Sequence, residues 1–358
     1  MTTRVYTLPV EQTRWHVPGG AQTTFSWEYD EGRDKLLTLY EKGKSRQWNS
    51  RDRIDWSREI DLDDPLQAPE VFIPLYGSEI WDKMGERDRA AVRLHATSWQ
   101  FSQFLHGEQG ALICAAKIVQ TVPDIDSKYY AATQVIDEAR HVETYSRYLH
   151  EKLHLAYPIN PHLKALLDDV VSDARWDFTY LGMQVIIEGL ALAAFGLIRD
   201  VVGEPLARAL NAYVMEDESR HVAFGRLALR DFYPQLSDRE RAEREEFCVE
   251  ACYLMRDRFL AEEVWTRLGL PVDECLDYVR SSEAMTQFRS LLFTRIAPTL
   301  KDIGMLGARV QSAFADMGVL GYADVDLDGI LADDAAVAAE IDAARVSQVE
   351  ATIAAGAD

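Results

Sequence analysis

The chain is short of cysteine, of basic charge and of any unbroken apolar run long enough to cross a bilayer. Its four cysteines, at positions 114, 248, 252 and 275, form no Cys-x-x-Cys pair, so they supply neither a disulfide framework nor the ligands of an iron-sulfur cluster. Lys and Arg number 38 against 59 Asp and Glu, and the net charge of -21 repels phosphate backbones and anionic membrane surfaces alike. Neither nucleic acid nor a membrane is therefore an expected partner. The longest apolar run, Gly189 to Ile198, falls short of the roughly 20 residues a spanning helix needs. Residues Met1 to Gly20 lack the basic and apolar stretches of a signal peptide, and a cytoplasmic location is expected. No glycine-rich dinucleotide fingerprint and no alternating strand pattern is found. What remains is helical periodicity, and the predicted class is all-α.

With 358 residues, 47% of them hydrophobic, the chain can bury a large core. Residues 1–75 read as an irregular lead-in, broken by Pro18-Gly19-Gly20, Pro65 and Pro69, with one helix from about Asp30 to Gln47. Residues 76–320 read as a bundle. Helices are predicted from Glu86 to Val119, from after Pro123-Asp124 to about Leu153, from Asn160, with Pro161 at the first helical position, to Val202, and from Pro205 to about Phe232. Ser237 and Glu240 are spaced as a capping box for a helix over 238–268, and further helices are expected over 281–298 and 300–317. Residues 321–358 read as an acidic, alanine-rich tail. Within it Asp324, Asp326, Asp328 and Gly329 imitate a calcium loop, but Ala335 stands where a bidentate Glu is needed, and a solvated acidic turn is expected.

Inside the predicted bundle one constellation occurs twice, 80 residues apart. Glu108 precedes Asp137-Glu138-Ala139-Arg140-His141, and Glu188 precedes Asp217-Glu218-Ser219-Arg220-His221; each lone glutamate leads its Glu-x-x-His by 30 residues. A spacing of three puts Glu138 and His141, and likewise Glu218 and His221, on one helical face. Glu188 lies in the apolar run Val185 to Phe195, where a carboxylate is costly unless protonated, paired or bound to a cation. Glu plus Glu-x-x-His, taken twice, is the ligand complement of a carboxylate-bridged two-metal site in a four-helix bundle. Four carboxylates balance two divalent ions, and hard oxygen donors with a minority of nitrogen suit iron or manganese better than structural zinc. Asp137 and Asp217 are placed to accept the free ring N–H of the opposite half's histidine, with Arg140 and Arg220 balancing their charge.

These motifs, together with Gln134-Val135-Ile136 before the first Asp-Glu, resemble the ligand helices of ferritin-like non-haem di-iron proteins. The resemblance covers about residues 86–230 and is nearest to the catalytic subunits of bacterial multicomponent monooxygenases and the small subunit of ribonucleotide reductase. It implies two iron ions, with manganese at one position as an alternative. Glu108, Glu138 and His141 would hold one, Glu188, Glu218 and His221 the other, with Glu138 and Glu218 bridging. It also implies dioxygen as co-substrate. Three positions depart from the pattern. Ala191 and Leu192 occupy the turn where such monooxygenases usually carry Thr, Ala115 stands at the tyrosyl-radical position of the reductase, and Val214 replaces the additional His of arylamine N-oxygenases.

Stepping along the ligand helices predicts a pocket from Gln134, Tyr145, Gln184, Ala191, Leu192, Phe195, Val214 and Met215, with Leu181 and Gly225 nearby and small residues leaving space at Ala191 and Gly225. Trp48, Trp99 and Trp176 are candidate electron relays. The expected function is a monooxygenase or hydroxylase of a small organic substrate. The alternatives are a reductase-like or ligand-binding oxidase that makes a radical or crosslink, and an iron-storage protein. A separate reductase or ferredoxin is the expected electron donor, and a homodimer through the long helices a further expectation.

Overall fold

The structure is a computed structural model that describes residues 20, 23–25 and 33–355. Three short helices open it: α1 (Asp34–Ser45), α2 (Ser50–Arg53) and α3 (Glu79–Asp82). The first four residues of the helix expected from Asp30 begin outside or at the edge of the described residues.

Four long segments then form the bundle, and each begins for a local reason. α4 (Glu86–Thr121) carries Glu86 and Asp88 in its first turn, where acidic charge meets unpaired backbone N–H groups. α5 (Ile125–Tyr148) is capped by Asp124, whose carboxylate accepts the Ser127 N–H at 2.8 Å. After α6 (Pro161–Ser172), capped by Asn160, the third segment runs through α7 (Trp176–Tyr180), a π-helical stretch Leu181–Ile187, and α8 (Glu188–Val201). α9 (Pro205–Phe232) is capped by the Glu204 carboxylate, 2.7 Å from the Ala207 N–H. α4 packs along α5, α8 along α9, and α5 along α9, while α1 lies against α5 and α9.

The helix predicted from Asn160 to Val202 is broken at residues 173–175. Lys117 of α4 is the cause, because its buried ammonium donates to the carbonyls of Val170, Val171 and Asp173 and so caps the end of α6. Beyond the break, Trp176–Val201 is a continuous helical stretch of 26 residues, longer than the ten-residue apolar run that was read from sequence, and 89% of its most apolar window is buried within the fold. It is the central core element of the bundle.

The remaining helices pack around one end: α10 (Asp238–Asp257), α11 (Glu262–Leu268), α12 (Val272–Ser281), α13 (Glu283–Leu291), α14 (Ile296–Asp302) and α15 (Ala308–Asp316). The capping box at Ser237 and Glu240 is present. The helix predicted over 238–268 is interrupted by a 3-10 turn at Arg258–Leu260 and by Ala261, which has φ 53°. α12 was not foreseen, since Gly269 and Pro271 punctuate its start. The segment read as a tail is helical as α16 (Leu327–Ala355) and packs on α9. Its Asp334 is buried between Arg199 of α8 (3.1 Å) and Arg295 (2.7 Å).

Candidate metal centre

The bundle brings all six candidate ligands together. Glu108 comes from α4, Glu138 and His141 from α5, Glu188 from the first residue of α8, and Glu218 and His221 from α9. None is more than 5% exposed. Glu188 follows directly on the π-helical stretch, and its N–H donates to the carbonyl of Met183, five residues back. The wider turn shifts the register of everything after it, which sets where the Glu188 carboxylate enters the core.

Donor atoms of Glu108, Glu138, His141 and Glu218 all lie within 4.8 Å of one another, and so do those of Glu138, Glu188, Glu218 and His221. Glu138 and Glu218 belong to both groups. His141 Nδ1 stands 3.2 Å from Glu108 and 3.0 Å from Glu218, and His221 Nδ1 stands 3.1 Å from Glu138 and 3.4 Å from Glu218. The other ring nitrogens face away and cross over: His141 Nε2 meets Asp217 at 3.1 Å, and His221 Nε2 meets Asp137 at 3.3 Å. A proton held on Nε2 by an aspartate leaves the Nδ1 lone pair aimed at the centre.

The two aspartates are themselves held. Arg140 donates to Asp137 (2.5 Å) and Asp217 (2.7 Å), and Arg220 is bound to Asp217 and lies 3.6 Å from Asp137. Two consecutive residues between α1 and α2 complete the ring. The Gln47 amide donates to Asp137 at 2.7 Å, and the Trp48 indole N–H donates to Asp217 at 2.8 Å, with the Arg140 guanidinium over the Trp48 ring. Gln47 was not foreseen. The sequence signal for it was only its place at the end of the segment that leads into the bundle. Trp99 instead bonds Glu263 and Trp176 packs on Tyr180 and Phe232, both away from these aspartates.

Several buried acceptors are left without a hydrogen bond: Glu138 Oε2, Glu188 Oε2, both oxygens of Glu218, and His221 Nδ1. Buried polar atoms are rarely orphaned, and five of them among these clustered donors fit shared cations. Burial, then the neighbouring Glu218, drives the Glu108 and Glu188 carboxyls well above their ordinary range. Burial acts in the same direction on Glu138, but His221 and His141 outweigh it and hold that carboxyl low. Burial opposes charge on both histidines, yet the surrounding carboxylates hold them well above the usual imidazole range. A metal-free centre therefore keeps protons that divalent ions would displace. Four carboxylates and two imidazoles, with no thiolate among the clustered donors, fit two iron ions.

Of the eight predicted pocket residues, Ala191 and Phe195 line a cavity of about 20 Å³ beside Glu108, Glu188 and Glu218. The other six lie elsewhere. Gln134 donates to Glu138 and to Glu188, both at 2.9 Å, and Gln184 reaches Gln134 at 3.5 Å. The Tyr145 hydroxyl donates to Asn211, Leu192 and Val214 are fully buried in the core, and Met215 touches Arg199. No space opens at Gly225, because the Gln184 side chain fills it. A second, mostly apolar cavity of about 380 Å³ lies farther along the same two helices, with Thr97 and Gln100 of α4 and Leu197 and Val201 of α8 in its wall.

The family described as p-aminobenzoate N-oxygenase AurF matches residues 30–304, which takes in the whole of this centre. The chain belongs to the AurF family. It is an oxygen-activating di-iron oxidoreductase. Among solved structures it is similar to a protein with aldehyde deformylating oxidase activity from Synechococcus, at 17% identity over 63% of this chain and 98% of that one, with a TM-score of 0.46. It is also similar to a mutant R2-like ligand-binding oxidase with an anaerobically reconstituted Mn/Fe cofactor, at 18% identity over 77% of this chain and 96% of that one, with a TM-score of 0.48. Among curated proteins none matches. Within the AurF family this chain has Val214 at the position where the resemblance drawn from sequence places an additional histidine.

Proposed function

We propose that this AurF-family chain is a monooxygenase of a small organic substrate. Glu108, Glu138 and His141 would hold one iron, and Glu188, Glu218 and His221 the other, with Glu138 and Glu218 available to both; manganese at one position is an alternative loading. The observation that carries the reading is the pair of overlapping donor groups with two carboxylates in common, three of whose four oxygens have no hydrogen-bond partner, bordered by a cavity. When bound, the metal pair supplies the reductive activation of dioxygen.

The chain's own residues do the rest. Asp217 and Asp137 fix the two imidazoles, Arg140 and Arg220 bind those aspartates, and Gln134 donates to Glu138 and Glu188. Phe195 and Ala191 give the cavity an apolar wall opposite its carboxylates and help to keep bulk water out. The balanced reaction takes substrate, dioxygen, two electrons and two protons to oxygenated substrate and water. The electrons come from a separate reductase or ferredoxin, since neither a dinucleotide fingerprint nor a cysteine cluster is present in the sequence. With valine at position 214 in place of the additional histidine, an arylamine oxygenase of that exact pattern is disfavoured.

The test is to load the full chain with ferrous iron without oxygen, add a chemical reductant and candidate substrates, and admit isotopically labelled dioxygen. One labelled oxygen atom in the product is expected. Substrate-independent uptake of many irons per chain would instead mark a storage protein.

A further inference from the structure

A third cavity, of about 440 Å³, lies where α6, α10, α12, α13 and α15 meet. It shares no wall residue with the cavity beside the glutamates or with the apolar one along α4 and α8. Charge sets it apart. The chain as a whole carries -21, yet three arginines stand in this wall: Arg256 near the end of α10, Arg280 in α12 and Arg289 in α13. The carboxylates in the same wall are Asp257 and Asp316. Arg256 already holds Asp257 through two bonds, at 2.6 and 3.0 Å, and Asp316 is exposed to solvent. Arg280 is exposed too, with Asp277, which is not in the wall, 3.5 Å away. Neither Arg280 nor Arg289 is bound to an acid of the wall among the described residues.

Arg289 is the deepest of the three. It is 9% exposed, and its guanidinium donates to the carbonyls of Val279 (2.8 Å) and Arg280 (3.1 Å) and to the Thr286 hydroxyl (3.3 Å). All three acceptors are neutral. The carbonyls close the end of α12, and a helix end offers only about half of one negative charge. Burial, and after it the neighbouring Arg256, lower the proton affinity of Arg289, with Asp257 offsetting part of the effect. A guanidinium has five N–H groups, so three bonds leave two donors unused, and Thr286, which accepts from Arg289, keeps its own O–H to give. A buried cation with surplus charge and spare donors in a cavity wall is a costly arrangement until an anion completes it. Leu260, Phe293 and Val319 supply an apolar part of the same wall, and the volume falls in the range of roughly 300–1,000 Å³ that organic ligands occupy.

We propose that this cavity binds a phosphate monoester of a small organic molecule, with the phosphate among Arg289, Arg256 and Arg280 and the organic body against Leu260, Phe293 and Val319. A phosphate presents three acceptor oxygens to several donors at once, and its charge of about -2 answers the two guanidinia, of Arg280 and Arg289, that no acid of the wall binds; a singly charged head group answers one. Because the cavity shares no wall with the metal centre, the ligand is an accessory one and not the oxygenase substrate. The assignment stands independently of the oxygenase reading.

Calorimetric titration of the full, iron-loaded chain without oxygen tests this with three probes. Phenyl phosphate carries both the dianion and a ring, benzenesulfonate the ring with a single charge, and inorganic phosphate the charge without a ring. Phenyl phosphate is expected to bind about tenfold more tightly than either of the others. Arg289→Gln should weaken it by at least about tenfold, and Arg280→Gln, at an exposed position, by about threefold. Iron content should be unchanged in both. No binding at about 1 mM phenyl phosphate overturns the proposal. Benzenesulfonate binding as tightly as phenyl phosphate overturns the choice of a dianion, and inorganic phosphate doing so overturns the organic body. Binding that survives intact in Arg289→Gln places the ligand elsewhere, on the iron pair or the surface, and is equally fatal. Should Arg289→Gln fail to fold, Arg280→Gln and Arg256→Gln decide, and unchanged affinity in both overturns the site.

Discussion

In the α4–α5 half of the centre, Phe104 and Tyr145 pack ring on ring with centroids 5.7 Å apart. Eighty residues on, in the α8–α9 half, the same two places are held by Gln184 and Gly225, and a Cβ added to that glycine would sit 2.5 Å from the Gln184 Cβ. Gln134, which donates to Glu138 and Glu188, has Val214 as its counterpart, buried among apolar side chains. The helix before Glu108 is regular, while that before Glu188 is π-helical. The donors themselves match, and so do the crossed aspartates, at 3.1 and 3.3 Å from the histidines. The duplication is thus preserved where chemistry would need it and has diverged one layer farther out, where one half became aromatic and the other close-packed and polar.

The largest test of this symmetry is metal content. Because Glu138 and Glu218 belong to both donor groups, Glu138→Ala or Glu218→Ala should lose both ions, whereas Glu108→Ala or Glu188→Ala should each retain about one. Elemental analysis with equal losses in all four variants would break the shared-ligand picture. Next come the aspartates. Asp217→Asn and Asp137→Asn should each weaken metal binding by about 10- to 100-fold by freeing the histidine ring, with Asp217→Asn the more severe because Arg220 is hydrogen-bonded to Asp217 but stands 3.6 Å from Asp137. Competition with a chelator measures both, and a reversed order would show that the aspartates are not the organisers they resemble.

A smaller effect belongs to the packing layer. Gly225→Ala should cost about 1–3 kcal/mol in thermal or chemical unfolding, because the clash is with a Cβ and not with a flexible tip. The smallest is Gln134→Val, which makes the first half like the second at that position. It removes the amide donor to Glu138 and Glu188 and should lower stability by about 1 kcal/mol with both ions still bound. A larger loss, with metal released, would mean that the amide serves the donors and not only the packing.

Much of this was legible in the amino acids. The doubled Glu and Glu-x-x-His named the six residues that the bundle gathers, because helical spacing alone fixes which side chains share a face. Long helices with strong caps at Asp124, Asn160 and Ser237 were legible for the same local reason. The break at residues 173–175 was not, since it depends on Lys117 arriving from another helix. The pocket was read by extending the helical step outward from the donors, which assumes straight α-helices of fixed register. The π-helical stretch before Glu188 violates that assumption, and Gln184 was accordingly read as lining open space when it fills the gap at Gly225.

Gln47 and Trp48 are neighbours in the chain, yet one holds the aspartate of the first half and the other that of the second. Successive side chains on an extended backbone point to opposite sides, so a single peptide unit laid along the seam can serve both halves of a duplicated bundle without being duplicated itself. This makes the connection between α1 and α2 a length-sensitive part. Inserting or deleting one residue between Ser45 and Gln47 would exchange which aspartate receives an indole and which an amide, or leave one with neither. Sequences descended from this one should therefore vary freely in the composition of that loop while keeping its residue count.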